Sequence, residues 1–197
     1  MTTASTPAAK TPRPRNADAS RRALFRAASE MFSERGFNQT TIREIGDRAG
    51  VDPALIARYY GNKLNLYLAS LAEDGQGSGI LVDSPDVETY VNRMLDRLER
   101  QGPGALMQVL VRTDTAAEVR AAARPHIDKR LVDPLARLLA ERNIADAQLK
   151  AETAVAALTG IFVARAAGHL DVLARAPRSE LARVLTAVVE GIATSIR

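Results

Sequence analysis

Residues 41–62 read TIREIGDRAGVDPALIARYYGN, and this stretch decides the fold. Thr41 and Glu44 stand three apart at the head of an apolar-periodic segment. That is a capping box: the hydroxyl accepts from the Glu44 amide and the carboxylate reaches back to the backbone. The helix should run to about Ala49 and stop at Gly50. Asp52-Pro53 marks the next start, with Asp as N-cap and Pro at the first helical position. Ile56 and Tyr60, four apart, supply its buried stripe. Two helices of about eight residues joined by a tight glycine turn make a helix-turn-helix. Neither persists alone in water. Gly46 costs about 1 kcal/mol against alanine inside a helix, and close approach of the two helices at their crossing is the gain expected from it. A generic αα-corner has the same spacing, so these residues alone leave both readings open.

The flanks supply the missing support. Leu24, Phe25, Ala28, Met31 and Phe32 recur at helical spacing, so about Asp18–Arg35 is amphipathic, and Gly36 fits a left-handed C-cap. Asn62 can cap a fourth helix carrying Leu66, Tyr67 and Leu71. Residues 1–72 hold 11 basic and six acidic side chains, although the whole chain has a net charge of only +4. The excess therefore sits in the first third, as a polyanion-binding head requires. Aromatics cluster there too, with Tyr90 and Phe162 alone beyond residue 67. The expected organisation is a disordered basic arm over 1–16, bearing Lys10, Arg13 and Arg15, a helix-turn-helix domain over 17–72, and a helical domain over 84–197. The acid-, glycine- and serine-rich segment Glu73–Ser84 is the seam.

Residues 21–66, RRALFRAASEMFSERGFNQTTIREIGDRAGVDPALIARYYGNKLNL, closely resemble the N-terminal domain of TetR-family transcriptional regulators. The landmarks are Ala27-Ala28, Phe32, Gly36-Phe37, Thr40-Thr41-Ile42, Ile45, Ala49-Gly50-Val51, Tyr59-Tyr60, and Lys63 with Leu66. Three departures stand out. Ala57 occupies a position where the family often has tyrosine, Tyr60 one where it has phenylalanine, and Leu64-Asn65 replaces an acidic pair. The resemblance implies an all-α fold: an N-terminal, homeodomain-like helix-turn-helix of three to four helices, then a C-terminal ligand-binding and dimerisation domain. It also implies a ligand-responsive, DNA-binding regulator, a repressor in the family's commoner mode. Such a protein binds a pseudo-palindromic operator as a homodimer and is released by a small-molecule effector. The alternative is a helical small-molecule-binding dimer without operator binding.

On the second helix of the motif, Pro53, Ala54, Leu55, Ala57, Arg58 and Tyr59 are expected to face outward. Ala54 and Leu55 can meet thymine methyls, and Arg58 is the hydrogen-bonding reader. Arg43 matches a groove-facing family position. Thr41 with the free amides of its helix start is an anion site, and Tyr59 and Lys63 match phosphate-contacting positions. A solvated face, or a packed aromatic at Tyr59, remains the alternative for these side chains.

In the second lobe, Val87, Tyr90, Val91, Met94, Leu95 and Leu98 follow the Ser84-Pro85 start at helical spacing. Helices are expected over about 105–112 and 116–141, the latter kinked or divided by Pro125 and Pro134. Thr153–Ala164 carries no charge, and a helix apolar nearly all round is buried on more than one side. Leu181, Val184, Leu185, Val188, Val189 and Ile192 repeat the stripe in the last helix. The family's last two helices form an intermolecular four-helix bundle. The resemblance therefore implies an interface of Val155, Leu158, Phe162, Leu181, Val184, Leu185, Val188 and Ile192, with burial inside one subunit as the alternative. It also implies a pocket, for which Tyr90, Met94, Leu98, Met107, Val111, Phe162, Arg165 and His169 are candidates. So few aromatics favour an aliphatic pocket over an aromatic cage. Arg165, on a buried-looking helix, needs a carboxylate or an anionic ligand.

The exclusions agree with a binding protein. No cysteine is present and the two histidines, His126 and His169, are isolated, so thiol chemistry, zinc ribbons and a histidine metal site are not expected. Gly75–Gly79 lacks the P-loop lysine, and neither G-x-S-x-G nor H-E-x-x-H occurs. No enzyme activity, cofactor or metal is expected. The first fifteen residues lack the apolar region of a signal peptide, and no uncharged run approaches about 20 residues. A cytoplasmic protein, nucleoid-associated when on DNA and without a membrane partner, follows as the expectation.

Overall fold

The computed structural model describes residues 14–73, 81, 83–102 and 104–195. These form helices throughout, with no strand among them. The head comprises α1 (Pro14–Arg35), α2 (Ile42–Ala49), α3 (Ala54–Tyr60) and α4 (Lys63–Glu73). The body comprises α5 (Val87–Gln101), α6 (Gly104–Val111), α7 (Ala117–Ile127), α8 (Asp133–Glu141), α9 (Ala147–Ala167), α10 (Asp171–Arg175) and α11 (Arg178–Thr194). Helix α1 opens at Pro14, ahead of the expected Asp18, because proline suits the first helical position. It takes in residues 14–16, which the sequence reading assigned to the arm. The rest of the arm, with Lys10 and Arg13, and most of the 73–84 seam lie outside the described residues.

The head's punctuation follows the local signals. The Thr41–Glu44 capping box forms in full, and Gly50 takes a left-handed φ of 62°. The Asp52 carboxylate accepts from the Ala54 amide at 2.8 Å, and Asn62 accepts from the Asn65 amide at 2.8 Å. Thr40 is fully buried, its hydroxyl donating to the Gly36 carbonyl at 2.9 Å. Phe32, Phe37 and Tyr67 cluster at the centre, with centroids 4.9–6.2 Å apart. The hydroxyl that distinguishes Tyr60 from phenylalanine donates to the Arg21 carbonyl at 3.1 Å, and the Arg21 guanidinium lies over the same ring.

The long helical stretch of the body is divided between its two prolines. Pro125 lies inside α7, and Pro134 opens α8. Between them residues 128–132 adopt a wider π-helical turn. The buried Tyr90 hydroxyl donates to the Leu131 carbonyl in that turn at 2.8 Å. Helix α9 packs against α8 and α11, and α11 against α5. Lys150, nearly buried at the start of α9, donates to the Ala193 carbonyl and caps the last turn of α11. Arg142 and Glu190 form a bidentate pair at 2.7–2.8 Å beside it. The short α10 had no periodic signal. The two lobes share one continuous core, because α1 packs across α6 as well as α2 and α4.

Gly46 lies at the crossing of α2 and α3. A Cβ there would stand 2.8 Å from Pro53 Cβ and Cδ and 2.9 Å from the Val51 carbonyl oxygen. Gly46→Ala should therefore cost about 1–2 kcal/mol net, the overpacking exceeding the helix-propensity gain. Urea denaturation checks this, and a variant as stable as the parent would show that the crossing has room.

Candidate functional site

The first turn of α2 is an electrostatic unit. The Thr41 hydroxyl accepts from the Glu44 amide at 3.2 Å and donates to the Glu44 carboxylate at 2.7 Å. The carboxylate also accepts from the Thr41 amide at 2.9 Å and pairs with Arg35 at 3.1 Å. Hydrogen bonds from Thr41, then the Arg35 charge, hold Glu44 below the usual carboxylate range. The Thr41 hydroxyl and amide are thus spent within the box. The donors left for an anion are the Ile42 and Arg43 amides, in a turn that offers them no intrahelical acceptor.

The outer face of α2 and α3 is mixed in character. Arg43, Ala54, Ala57 and Arg58 are exposed, and Pro53 and Tyr59 are half-buried. Leu55, expected to reach outward, is half-buried against the core. Its place is taken by Ile42, 38% exposed, which lines a shallow cleft with Arg43, Asp47, Pro53, Ala54 and Ala57. Nothing in the sequence marked Ile42 as outward, since an isoleucine in an amphipathic helix ordinarily faces the core. Arg43 and Arg58 make no ion pair or side-chain hydrogen bond among the described residues, whereas Arg48 pairs with Glu34 at 3.1 Å and Arg35 with Glu44. Lys63 does not simply extend into solvent. Its ammonium sits 4.1 Å from the Phe37 ring centroid, with burial lowering its pKa and the Glu44 charge opposing that shift.

A cavity of about 620 Å³ opens in the body between α5, α6, α9 and α10. Leu98, Met107, Val111, Phe162 and Arg165 line it, joined by Leu95, Glu99, Gln108, Val163 and three alanines. Tyr90, Met94 and His169 do not. Tyr90 is fully buried with its hydroxyl committed to Leu131, and its pKa is pushed upward by that burial. Met94 belongs to the core, and His169 is exposed just beyond the C-cap Gly168. Arg165 pairs with no carboxylate among the described residues. It donates to the Leu173 and Ala176 carbonyls at 2.6 and 3.1 Å, closing the α9–α11 connection.

The closing helices are apolar on two faces, and the residues expected at the interface fall on both of them. Val155, Leu158, Leu181 and Leu185 are at most 3% exposed within the single subunit. Phe162 faces the cavity, while Val188 and Ile192 are half-buried. The exposed stripes are Ala156, Gly160 and Val163 on α9 and, with the expected Val184, Ala187 and Gly191 on α11. A Cβ at Gly160 or Gly191 would meet nothing within 4 Å.

Head and body meet through arginines absent from the sequence-derived site. Arg112, just past α6, packs its side chain 2.9 Å from where a Gly36 Cβ would stand, and Gly36 has φ +77°. Arg112 is held by Asp114 at 3.1 Å, and Asn38 donates to the Asp114 carbonyl at 2.6 Å. Arg130 donates to the Ala72 carbonyl in the last turn of α4. Burial raises the Tyr67 hydroxyl to about 12, partly opposed by the Arg112 charge.

Two family models match the chain. Residues 19–70 match the bacterial regulatory proteins of the tetR family, and residues 87–192 match the tetracyclin repressor-like C-terminal domain. An HTH-type transcriptional repressor of Mycobacterium tuberculosis is 34% identical over 115 residues, covering 55% of this chain and 61% of that protein. The match therefore spans less than two thirds of that relative. The HTH-type transcriptional repressor AcnR of Corynebacterium glutamicum is 23% identical over 87% of this chain and 91% of its own. A solved TetR-family regulator of Streptomyces coelicolor superposes with a TM-score of 0.54 at 26% identity, covering 94% of this chain and all of that one. No described helix is long and apolar enough to cross a membrane. With a helix-turn-helix head on a helical body, and with models of both halves matching, the chain belongs to the TetR family of DNA-binding transcriptional regulators.

Proposed function

We propose that this protein is a ligand-responsive repressor that binds a pseudo-palindromic operator as a homodimer and is released by a small-molecule effector. Residues 17–72 form the DNA-binding domain and residues 84–197 the effector-binding and dimerisation domain. The observation that carries the reading is the pair of arginines without a side-chain partner among the described residues, Arg43 and Arg58, on the exposed face of a helix-turn-helix whose Arg35 and Arg48 are neutralised by acids. A guanidinium left free on such a face is available for a guanine edge or a phosphate. Ile42, Ala54 and Ala57 supply the apolar surface that a thymine methyl fits. The Ile42 and Arg43 amides, Tyr59 and Lys63 serve the backbone, Lys63 by leaving its Phe37 ring.

Three further observations support the rest. Gly160 and Gly191 each cost about 1 kcal/mol of helix propensity, and no described residue of the subunit lies close enough to need them. Close packing against the same helices of a second copy accounts for both, and so moves the proposed interface onto the Ala156–Val163 and Val184–Gly191 stripes. Helix α6 lines the cavity through Met107, Gln108 and Val111 and leads directly to Arg112 against the Gly36 turn. A ligand that displaced α6 would thereby shift the reading heads, changing operator affinity by its differential affinity for the two arrangements. That two relatives are named as repressors supports repression as the sign. The protein is cytoplasmic in this reading, and nucleoid-associated when on DNA.

Binding to DNA flanking its own coding region, measured across salt concentrations, tests the proposal. The affinity should fall with log salt at a slope of about 0.9 per phosphate neutralised. Arg58→Ala should relax sequence preference by about 1–3 kcal/mol at one position per half-site. Salt-independent binding, or an unchanged footprint in the variant, contradicts the assignment. Val184 is 49% exposed, so Val184→Asp leaves the subunit core intact. It should sediment as a monomer, and a variant that stays dimeric would remove α11 from the interface.

A further inference from the structure

The cavity described above is walled by Leu98, Met107, Val111, Phe162 and Val163, and only three polar side chains reach it: Glu99, Gln108 and Arg165. The two charged ones are already committed. Arg165 spends both terminal nitrogens on the Leu173 and Ala176 carbonyls, which tie the α9–α11 connection in place. Glu99 is held by Arg178 at 3.3 Å, and Arg178 is anchored in turn by Asp96 and by the Asn92 backbone. Gln108 differs from both. It stands half-buried on α6, and its side chain makes no hydrogen bond among the described residues. A primary amide offers two donors and a carbonyl acceptor, so a polar ligand atom can be satisfied here without breaking a contact of the fold.

We propose that the cavity takes an uncharged, predominantly aliphatic molecule with one hydrogen-bonding oxygen, such as a ketone, ester or alcohol, and that Gln108 is the side chain that recognises it. The inference rests on reading the body as an effector-binding domain, and it narrows the effector to a chemical class. A carboxylate would have to draw Arg165 off two backbone carbonyls and would face the Glu99 charge. An ammonium would have to displace Arg178 from Glu99 and would meet Arg165. Either ion would otherwise enter a mostly apolar site unpaired, at a cost greater than that of an amide-bonded neutral oxygen. Phe162, the cavity's single aromatic, cannot by itself cage a cation.

Calorimetric titration of the full chain with octan-2-one, octanoate and octylamine, in the absence of DNA, tests the proposal. These probes share one chain length and differ in charge. Octan-2-one should bind at least about tenfold more tightly than either ion. Gln108→Leu should weaken octan-2-one about fivefold, within the range of one neutral hydrogen bond. Gln108→Glu should turn the preference toward octylamine. Because Gln108 is half-exposed, unchanged thermal unfolding of both variants separates recognition from folding. Equal or tighter binding of octanoate or octylamine by the parent chain, indifference of octan-2-one binding to Gln108→Leu, or failure of all three probes to bind overturns the proposal. Operator binding without any probe is a separate measurement. Loss of DNA binding with octan-2-one still bound would sink the regulator reading alone, and the converse would sink this inference alone.

Discussion

The close crossing of α2 and α3 at Gly46 is the constraint on which the reading head depends. At eight and seven residues these helices are too short to persist in water. Their order comes from being pressed together and onto α1 and α4, and contact at Pro53 requires that no Cβ stand at position 46. The capping box, the Asp52 and Asn62 caps and the left-handed Gly50 set where each helix begins and ends. The crossing sets how they sit, and so which side chains form the outer face. Within that arrangement Leu55 packs against the core and Ile42 is left outside.

Charge is sorted on this head with the same economy. Arg35 and Arg48 neutralise Glu44 and Glu34, and Arg21 lies over Tyr60. Exposed ion pairs of this kind add little stability, but they offset carboxylate charge on the head. Glu44 is the clearest case, since it lies in the first turn of α2 beside the Ile42 and Arg43 amides. Its partners in the box and Arg35 hold it ionised yet compensated.

Helix α6 joins the two halves. One side of it faces the cavity, α1 packs across it, and Arg112 just beyond it rests on the Gly36 turn. The buried residues accordingly run as one core from head to body. This is what a change in the cavity would need in order to be felt at the DNA-facing surface, because a close-packed interior transmits displacement rather than absorbing it. The arginine contacts at Gly36 and Ala72 were not legible in the chain. Arg112 and Arg130 look like ordinary solvated residues there, and only the juxtaposition of residues far apart in sequence gives them partners.

The sequence by itself determined the all-helical class, the helix-turn-helix with its caps and its supporting helices, the division of the body at Pro125 and Pro134, and the close approach at Gly46. All of these are written in short-range signals: a hydroxyl three residues before a carboxylate, a proline with no amide, a glycine with no Cβ. Five of the eight residues picked for the cavity also line it, because they fall on the apolar stripes of the helices that enclose it. Only the tertiary structure decided which apolar face points where. Helix α9 is apolar on most sides, so periodicity announces burial without naming the neighbour. Val155, Leu158, Leu181 and Leu185, read as intersubunit, are buried within the subunit, whereas Val184 of the same set is exposed, as are Ala156 and Gly160. Arg165 likewise found backbone carbonyls where a carboxylate was one of the expected partners, and Gln108 joins the cavity lining only because four helices come together there. Local chemistry specifies where helices start and stop; which faces meet depends on the packing of the whole chain, and no window of sequence contains it.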